Sequence, residues 1–380
     1  MKNRAHFGLR APKYRLRFCA GTSYVTGRSE RQGCLRGNGL ANTMNDVARL
    51  AGVSPATVSR VLSKSPYISV GTATRVMNAV AELRYHRNVH ARRLAIGKSD
   101  LFGLVISEIA NPYFAEIIRG FQSVAWDRGF DVLLLNTEYD DKRKDAVMRK
   151  LIENDVRGVA IMTSSLDEGT IPPLTDAGIG VVFCNLVPAE RLVSNITIDY
   201  ERGLIEAIEH VASLGHRRAA VIAGPEENRT ALTIKQALVE GLKQRGLDPD
   251  PVTYSDYHLD GGASAVKMIL AAKNVPTVIF CGSDLIAMGA MLALEEAGYD
   301  VPRDISVVGI DDIPFASLAR PPLTTISVPR EQLGITSFQA LDRMLKLKRQ
   351  RGAEYVLETK LVIRKSTAAA RRTGRKKERG

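Results

Sequence analysis

The stretch Asn45 to Leu62, NDVARLAGVSPATVSRVL, constrains this chain more than any other, because it reads as helix, tight turn, helix. Two helices crossing steeply need a small residue at their contact, and Ala48 supplies it. The turn needs a residue that tolerates positive φ, and Gly52 does so at little steric cost. Val53, Val58 and Val61 face back toward the first helix. Ser54 is a good N-cap, and Pro55 at the next position is already fixed near helical φ. That leaves Pro55, Ala56, Thr57, Ser59 and Arg60 on the outer face of the second helix, with Ser54 at its start. In a helix-turn-helix this N-terminal part of the second helix enters the DNA major groove. The competing reading is two ordinary core helices joined by a turn.

The next two segments weaken that competitor. Residues 70–85 form a further amphipathic helix, with Val76, Val80 and Leu83 on one apolar face. The segment NVHARRLAIGKS occupies 88–99. With it, the sequence resembles the LacI/GalR family of bacterial transcription regulators. The resemblance rests on D-V-A-x-x-A-G-V-S-x-x-T-V-S-R-V-L at 46–62, L-x-Y-x-x-N at 83–88 and A-R-x-L at 91–94, and it continues to about Thr367. It implies a small all-α helix-turn-helix DNA-binding domain followed by an α/β two-lobed periplasmic-binding-protein-like domain with two doubly wound parallel sheets. The expected divisions are a basic extension at 1–43, the DNA-binding domain at 44–86, a hinge helix and linker at 87–99, the two-lobed domain at 100–367 and a disordered basic tail at 368–380.

Charge is distributed in the same way. The 380-residue chain carries +12, of which 1–43 hold +8, 44–98 hold +7 and 368–380 hold +5, so 99–367 hold −8. Phosphate attraction is strong, salt-dependent and largely sequence-blind. Concentrating it in the N-terminal module points that module, and not the body, at DNA. Solvated surface charge accounts for the total but less well for the asymmetry. The four cysteines (Cys19, Cys34, Cys184, Cys281) are scattered, without CxxC or paired His, which argues for a reducing compartment and against a disulfide frame or structural zinc. No apolar run approaches the roughly 18 residues that span a bilayer. The expected location is the bacterial cytoplasm, at the nucleoid.

Residues 1–43 show no sustained helical or strand period, and no apolar core follows their charges as in a secretory signal. They are expected to be either a disordered basic arm or untranslated, with the true start near Met44. In the family the segment matching 88–95 is a hinge helix that folds when two subunits sit on DNA. Its leucine wedges into the minor groove at the centre of a palindromic operator. The matching residues are Leu94 as the wedge, Asn88 as a cap and Ala91 as the small contact between paired hinges, with Arg92 and Arg93 available to phosphate. Such a wedge unstacks and kinks the duplex. The alternative is a basic linker whose leucine packs inward. The family often has proline where Arg87 stands. Gly97-Lys98-Ser99 mimics the end of a phosphate-binding loop, but Arg92 stands where its first glycine must be and no strand precedes it.

From Leu101 onward strands and helices alternate. Strands are expected at 101–107, 131–136, 158–162 and 180–185, with helices at 115–128, 142–154 and 168–177 between them. A second set has helices near 201–214, 230–245 and 284–297 and strands at 219–224, 277–282 and 305–311. This repetition implies parallel sheets with right-handed crossovers. Two such units in succession make two lobes, and ligands of open α/β sheets bind at the carboxyl ends of the strands. The chain then crosses back to the first lobe through a helix at 330–348 and returns to the second with Lys360 to Lys365, so that three crossings form a hinge.

Strand ends supply the cleft candidates. Asn111, Tyr113 and Phe114 follow the first strand, and the resemblance makes this loop line the effector pocket, although one of the two rings reads equally as core. Asn228, Arg229 and Thr230 lie near a helix start after AAVIAGP, and Tyr257 follows TYSDY. Asp311 ends ISVVGID and resembles the family's acidic residue that receives ligand hydroxyls or amines, since an ionised carboxylate only accepts. Asp312 reads as solvent-facing or structural, Asp284 as capping the helix after it, and His210 and His216 as structural. Many members carry an arginine in the helix after the G-P loop, where Ile234 stands here with Lys235 beside it. That arginine is therefore missing or replaced by Arg229.

The tail beyond Thr367 lacks leucine heptads, so a homodimer is expected. No nucleotide motif, metal cluster or Ser/His/Asp set appears, and no enzyme, cofactor or membrane role is implied. The expected function is a sequence-specific regulator, a repressor first and an activator or corepressor-dependent repressor second. Its partners would be a palindromic double-stranded operator and a small carbohydrate-like effector bound between the lobes. A solute-binding protein would share the body but lack 44–98.

Overall fold

Two side chains that cap each other fix the first helix. Thr43 Oγ1 accepts from the Asp46 backbone N–H at 3.3 Å, and Asp46 Oδ2 accepts from the Thr43 N–H at 2.9 Å. In the computed structural model that describes residues 42–371, except 64, 86–98, 164–165, 167, 186–187, 273 and 348–349, this box opens α1 (Met44–Ala51). Asn88, Ala91, Arg92 and Leu94, the extension before Asn42 and the tail after Arg371 lie outside the described residues. The chain divides into two units, one ending at Asn88 and the other beginning at Val89.

In the first unit Gly52 ends α1 with φ 63°, and Ser54 caps α2 (Pro55–Leu62) by accepting the Thr57 N–H. α3 (Val70–Glu82) closes a small core in which Val47, Val58 and Val76 are wholly buried. Each fully buried valine contributes about 1.5–3 kcal/mol relative to exposure, which is how so short a unit holds together.

The second unit repeats one topology twice. The first sheet is built from β1 (Leu101–Ile106), β2 (Asp131–Asn136), β3 (Gly158–Met162), β4 (Gly180–Cys184) and β5 (Val193–Asp199). Its helices are α4 (Pro112–Asp127), α5 (Lys144–Glu153) and α6 (Ile171–Asp176). The second sheet has β6 (Arg218–Ala223), β7 (Asp248–Tyr254), β8 (Val278–Cys281), β9 (Ser306–Asp311) and β10 (Thr324–Ser327). Its helices are α7 (Glu201–Ser213), α8 (Arg229–Gln244), α9 (Leu259–Ala271) and α10 (Asp284–Glu296). α11 (Arg330–Lys346) leads to β11 (Glu354–Glu358) on the first sheet, and β12 (Lys360–Val362) completes the second. The orders are β11-β5-β4-β3-β1-β2 and β12-β10-β9-β8-β6-β7, parallel except for β12. Buried strands such as LFGLVI are apolar throughout because helices cover both faces. The expected hinge is present: the chain passes between sheets at Asp199–Glu201, Ser327–Arg330 and Glu358–Lys360.

The described structure differs from the sequence expectation at six elements. β5, β7, α9, β10, β11 and β12 are additional to the elements that the sequence pattern predicts. β7 (DPDPVTY) and β11 (EYVLE) are outer strands whose prolines and carboxylates hide the strand pattern, as edges permit. α9 contains Gly261-Gly262, which reads as a loop. The tail boundary also moves. Residues 368–371 do not belong to a disordered tail: they pack on the second lobe, with the Ala370 N–H donating to Leu214 O at 2.8 Å and Arg371 paired with Asp304 at 3.0 Å. His216 explains this anchorage. It is buried, its Nε2–H donates to Ala368 O at 3.1 Å, and its Nδ1 accepts from the Thr277 hydroxyl at 2.9 Å. His210 Nε2 lies 2.9 Å from Thr367 Oγ1. Burial holds both imidazoles below their ordinary value, so both are structural, as the sequence indicates.

α11 follows a strand of the second sheet yet packs on the first lobe, against α4. Their backbones touch where both are bare: a Cβ on Gly120 would stand 2.2 Å from Glu331 O, and one on Gly334 would stand 2.1 Å from Ile117 O. Phe338 meets Phe102 and Phe121 edge-on below this crossing, and buried Asp342 pairs with Arg128 and Lys346. Gly334→Ala is expected to lower the unfolding free energy by about 1–3 kcal/mol, because neither backbone can retreat without moving a helix. Urea denaturation checks this, and an unchanged midpoint would contradict so close a crossing.

Candidate functional site

On the first unit, the outer face of α2 is open. Pro55, Ala56 and Arg60 are exposed, and Thr57 and Ser59 are half-buried. Ser54 is also exposed, but its hydroxyl accepts the Thr57 N–H at 3.2 Å and shares a hydrogen bond with Thr57 Oγ1 at 2.9 Å. Ser54 and Thr57 therefore fix the start of the helix, while Ala56, Ser59 and Arg60 are presented for contact.

On the second unit, both sheets reverse strand order beside β1 and β6, and a crevice at the carboxyl ends of the strands follows from such a switch. A cavity of about 260 Å³ lies there. The first lobe brings Asn111, Tyr113 and Phe114 to it, and the second brings Asn228, Arg229, Thr230, Tyr257 and Asp311. Asn111 caps α4 by accepting the Tyr113 N–H at 3.0 Å, so the loop expected there is a helix start. Phe114 is the core ring of the pair, 5 % exposed, and Tyr113 meets it at right angles at 5.1 Å. Asn228 caps α8 through the Ala231 N–H at 3.1 Å.

Tyr139 and Tyr200, which are not among the sequence candidates, also line the cavity. With Tyr113 and Tyr257 they make four phenols, each held above its ordinary value by burial, Tyr139 at about 12. All four are neutral hydroxyls able to donate and accept. Tyr139 and Tyr257 face each other from the two lobes at 6.1 Å between ring centres. Ser107, Thr163, Cys184 and Asn185 add small polar groups from the ends of β1, β3 and β4. Applying the strand-end rule to every strand would have found them.

The acidic wall is a network. Asp311 sits at the end of β9 with φ 119°, a backbone that side chains rarely adopt. Its carboxyl is pushed well above the usual range by burial and by Asp284, opposed by Arg330. Asp284 is wholly buried and accepts from the Ile313 N–H at 2.8 Å and the Thr325 hydroxyl at 2.5 Å. Burial pushes it up to about 7. It is structural, but Ser283, not Asp284, caps α10, by accepting the Ile286 N–H at 3.2 Å. Asp312 is structural too, paired with Arg364 at 2.6 Å. Arg330, absent from the sequence candidates, is 4 % exposed and donates to Glu116 Oε2 on α4 and to Asp312 O at 2.6 Å each. Its Nε and Nη1 have no acceptor among the described residues.

Ile234 is buried against the cavity, and neighbouring Lys235 is engaged by Tyr254 at 2.9 Å. Arg229 is the cation among the described lining residues, and it pairs across the mouth with Glu168 of the first lobe at 3.3 Å. Among the described residues no group of His, Cys, Asp and Glu could hold a metal, and no helix is long and apolar enough to cross a membrane.

Residues 43–88 match the family described as bacterial regulatory proteins, lacI family, and residues 208–367 match a periplasmic binding protein-like domain. The chain is 32% identical over 327 residues to the HTH-type transcriptional repressor PurR of Photobacterium profundum, covering 85% of this chain and 98% of that one. It is similar to the lac repressor dimer bound to operator and the anti-inducer ONPF, with TM-score 0.77, 30% identity and coverage of 87% of this chain and 100% of that one. It is also similar to the transcriptional regulator CelR in its cellobiose complex, with TM-score 0.63, 32% identity and coverage of 86% and 99%.

The raised carboxyl of Asp284 sets a pH dependence. Its folded-state value of about 7 lies above the unfolded value of about 3.9, so its contribution is full below about pH 4 and is lost as pH rises through 7. Asp284→Asn does not titrate. The variant is therefore expected to cost more stability at pH 5 than at pH 8, read from urea unfolding at both. An equal cost at the two pH values would contradict the raised carboxyl.

Proposed function

The chain belongs to the lacI family of bacterial regulatory proteins, and from that premise we propose that it is a transcriptional repressor whose hold on a palindromic operator is set by a small molecule bound between its lobes. The observation that carries this reading is the division of labour between the units. A basic helix-turn-helix with an exposed α2 face is joined to an acidic body that carries a polar, tyrosine-lined crevice at the switch points of both sheets.

Two copies bind as a homodimer in the cytoplasm, so that a two-fold protein meets a two-fold site. Ala56, Ser59 and Arg60 read base edges in the major groove. Leu94 wedges between base steps at the operator centre, with Asn88, Ala91 and Arg92 supporting the hinge. Asn111, Tyr113, Phe114, Asn228, Arg229, Thr230, Tyr257 and Asp311 hold the effector, which is carbohydrate-like. Hydroxyls and planar amides around a small cavity suit a polyhydroxylated molecule, and the relatives' ribose, cellobiose and ONPG complexes point the same way. The effector shifts the lobe equilibrium only by its difference in affinity for the two arrangements. No catalytic step is assigned to the cleft.

Selection of genomic fragments with the full chain and with residues 44–380, with and without a metabolite mixture, tests the reading. A recovered palindrome supports a dimeric specific binder, and no enrichment under any of the four conditions overturns it. Arg60→Ala is expected to weaken operator binding by about 1–3 kcal/mol and to relax one base preference. A uniform loss across sequences with a shallower salt slope would make Arg60 a phosphate contact instead.

A further inference from the structure

The inner cavity has a larger neighbour. A second cavity, of about 890 Å³, shares six wall residues with it: Asn185, Ile198, Tyr200, Arg229, Thr230 and Ile234. Ligand sites commonly span about 300–1,000 Å³, so the inner space alone falls just below that range and the two together slightly above it. From this adjacency we infer that the effector is an elongated, uncharged polyol, a disaccharide or larger glycoside, with one ring among the tyrosines and the rest in the outer cavity. The inference rests on the effector site proposed above.

The walls of the outer cavity fit such a ligand. Its floor is one face of the paired strands β5 and β11, where Asn195 lies opposite Glu354 and Thr197 opposite Val356. Asn195 Nδ2 donates to Glu354 Oε2 at 3.0 Å and to Thr197 Oγ1 at 3.1 Å, so these polar groups are held in place before anything binds. Its roof is one face of α8, where Thr230, Thr233 and Ala237 recur at helical spacing. Val356 is 64% exposed and stands beside the cavity with Pro188. Hydroxyl and carboxylate acceptors around a small apolar patch match the edge and the C–H face of a pyranose ring. Tyr200 lies at the junction and lines both spaces.

Charge disfavours an anionic ligand. Among the described lining residues of both cavities Arg229 is the cation, and it is engaged by Glu168. Asp199, Glu201, Glu227 and Glu354 oppose it in number. A sugar phosphate or a sugar acid would meet several carboxylates and, among the described lining residues, one cation that already faces Glu168.

Calorimetric titration of the full chain tests this with glucose, galactose, fructose and ribose, with the disaccharides cellobiose, maltose, lactose and sucrose, and with glucose 6-phosphate and glucosamine. At least one disaccharide is expected to bind about tenfold tighter than its component monosaccharides. Thr233→Trp, which fills the outer cavity from an exposed position, is expected to bring that ratio toward one, and Ala237→Phe, one turn along the same face, to do the same. Thermal melts confirm that each variant is folded. The inference is overturned if monosaccharides bind as tightly as disaccharides, if the ratio survives both substitutions, if the phosphate or the amine is preferred, or if nothing in the panel binds. Fragment selection needs no sugar, so an operator recovered beside a silent panel would sink this inference and leave the regulator reading standing.

Discussion

Three short crossings sew the two parallel sheets of the second unit together, and the cleft depends on them. Because both sheets run in the same strand order, their carboxyl ends meet where β1 and β6 leave the row. The loops after these strands, with Asn111 on one side and Asn228 on the other, open into one cavity. Each asparagine also caps the helix behind it, so the polar groups at the rim are fixed by the secondary structure that delivers them. A single crossing would let the lobes drift. Three restrict them to opening and closing about one line.

Arg330 stands on the second of those crossings and ties the cleft to the hinge. Its guanidinium holds Glu116 of the first lobe and the carbonyl of Asp312 in the second, beside the carboxyls of Asp311 and Asp284. Removing one partner of a buried charge pair costs about 3–5 kcal/mol, so this contact does not come apart idly. A molecule that engages Asp311 therefore acts on the same few side chains that register how the lobes sit. The exposed Arg229–Glu168 pair at the mouth is worth about 0–1 kcal/mol, so it adds little to the hold between the lobes.

Much of this was legible in the residues, and the exceptions have physical causes. Gly52, Ser54 and the valines at 58 and 61 announce the helix-turn-helix because each meets a local demand of turn, cap or contact. Asp311 and Asn111 were legible because strand ends locate the crevice. β7 and β11 were not, since a sheet edge tolerates proline and charge that a central strand excludes. Asp284 reads as a cap because sequence proximity to a helix start does not reveal that the Thr325 hydroxyl, 41 residues on, claims its carboxylate. Arg330 was invisible for a related reason: nothing local marks an arginine as buried. Residues 368–371 look like a basic tail until His216 is seen to hold them.

Regulation by this chain requires coupling between a basic reader and an acidic sensor. The most direct measurement is the affinity of the full chain for its selected DNA, with and without a saturating cleft ligand, together with the ligand's affinity with and without that DNA. Such coupling changes DNA affinity by about 5–150-fold and, by linkage, the ligand's affinity by the same factor. Two ligands that both bind and leave each other's affinity unchanged would contradict it.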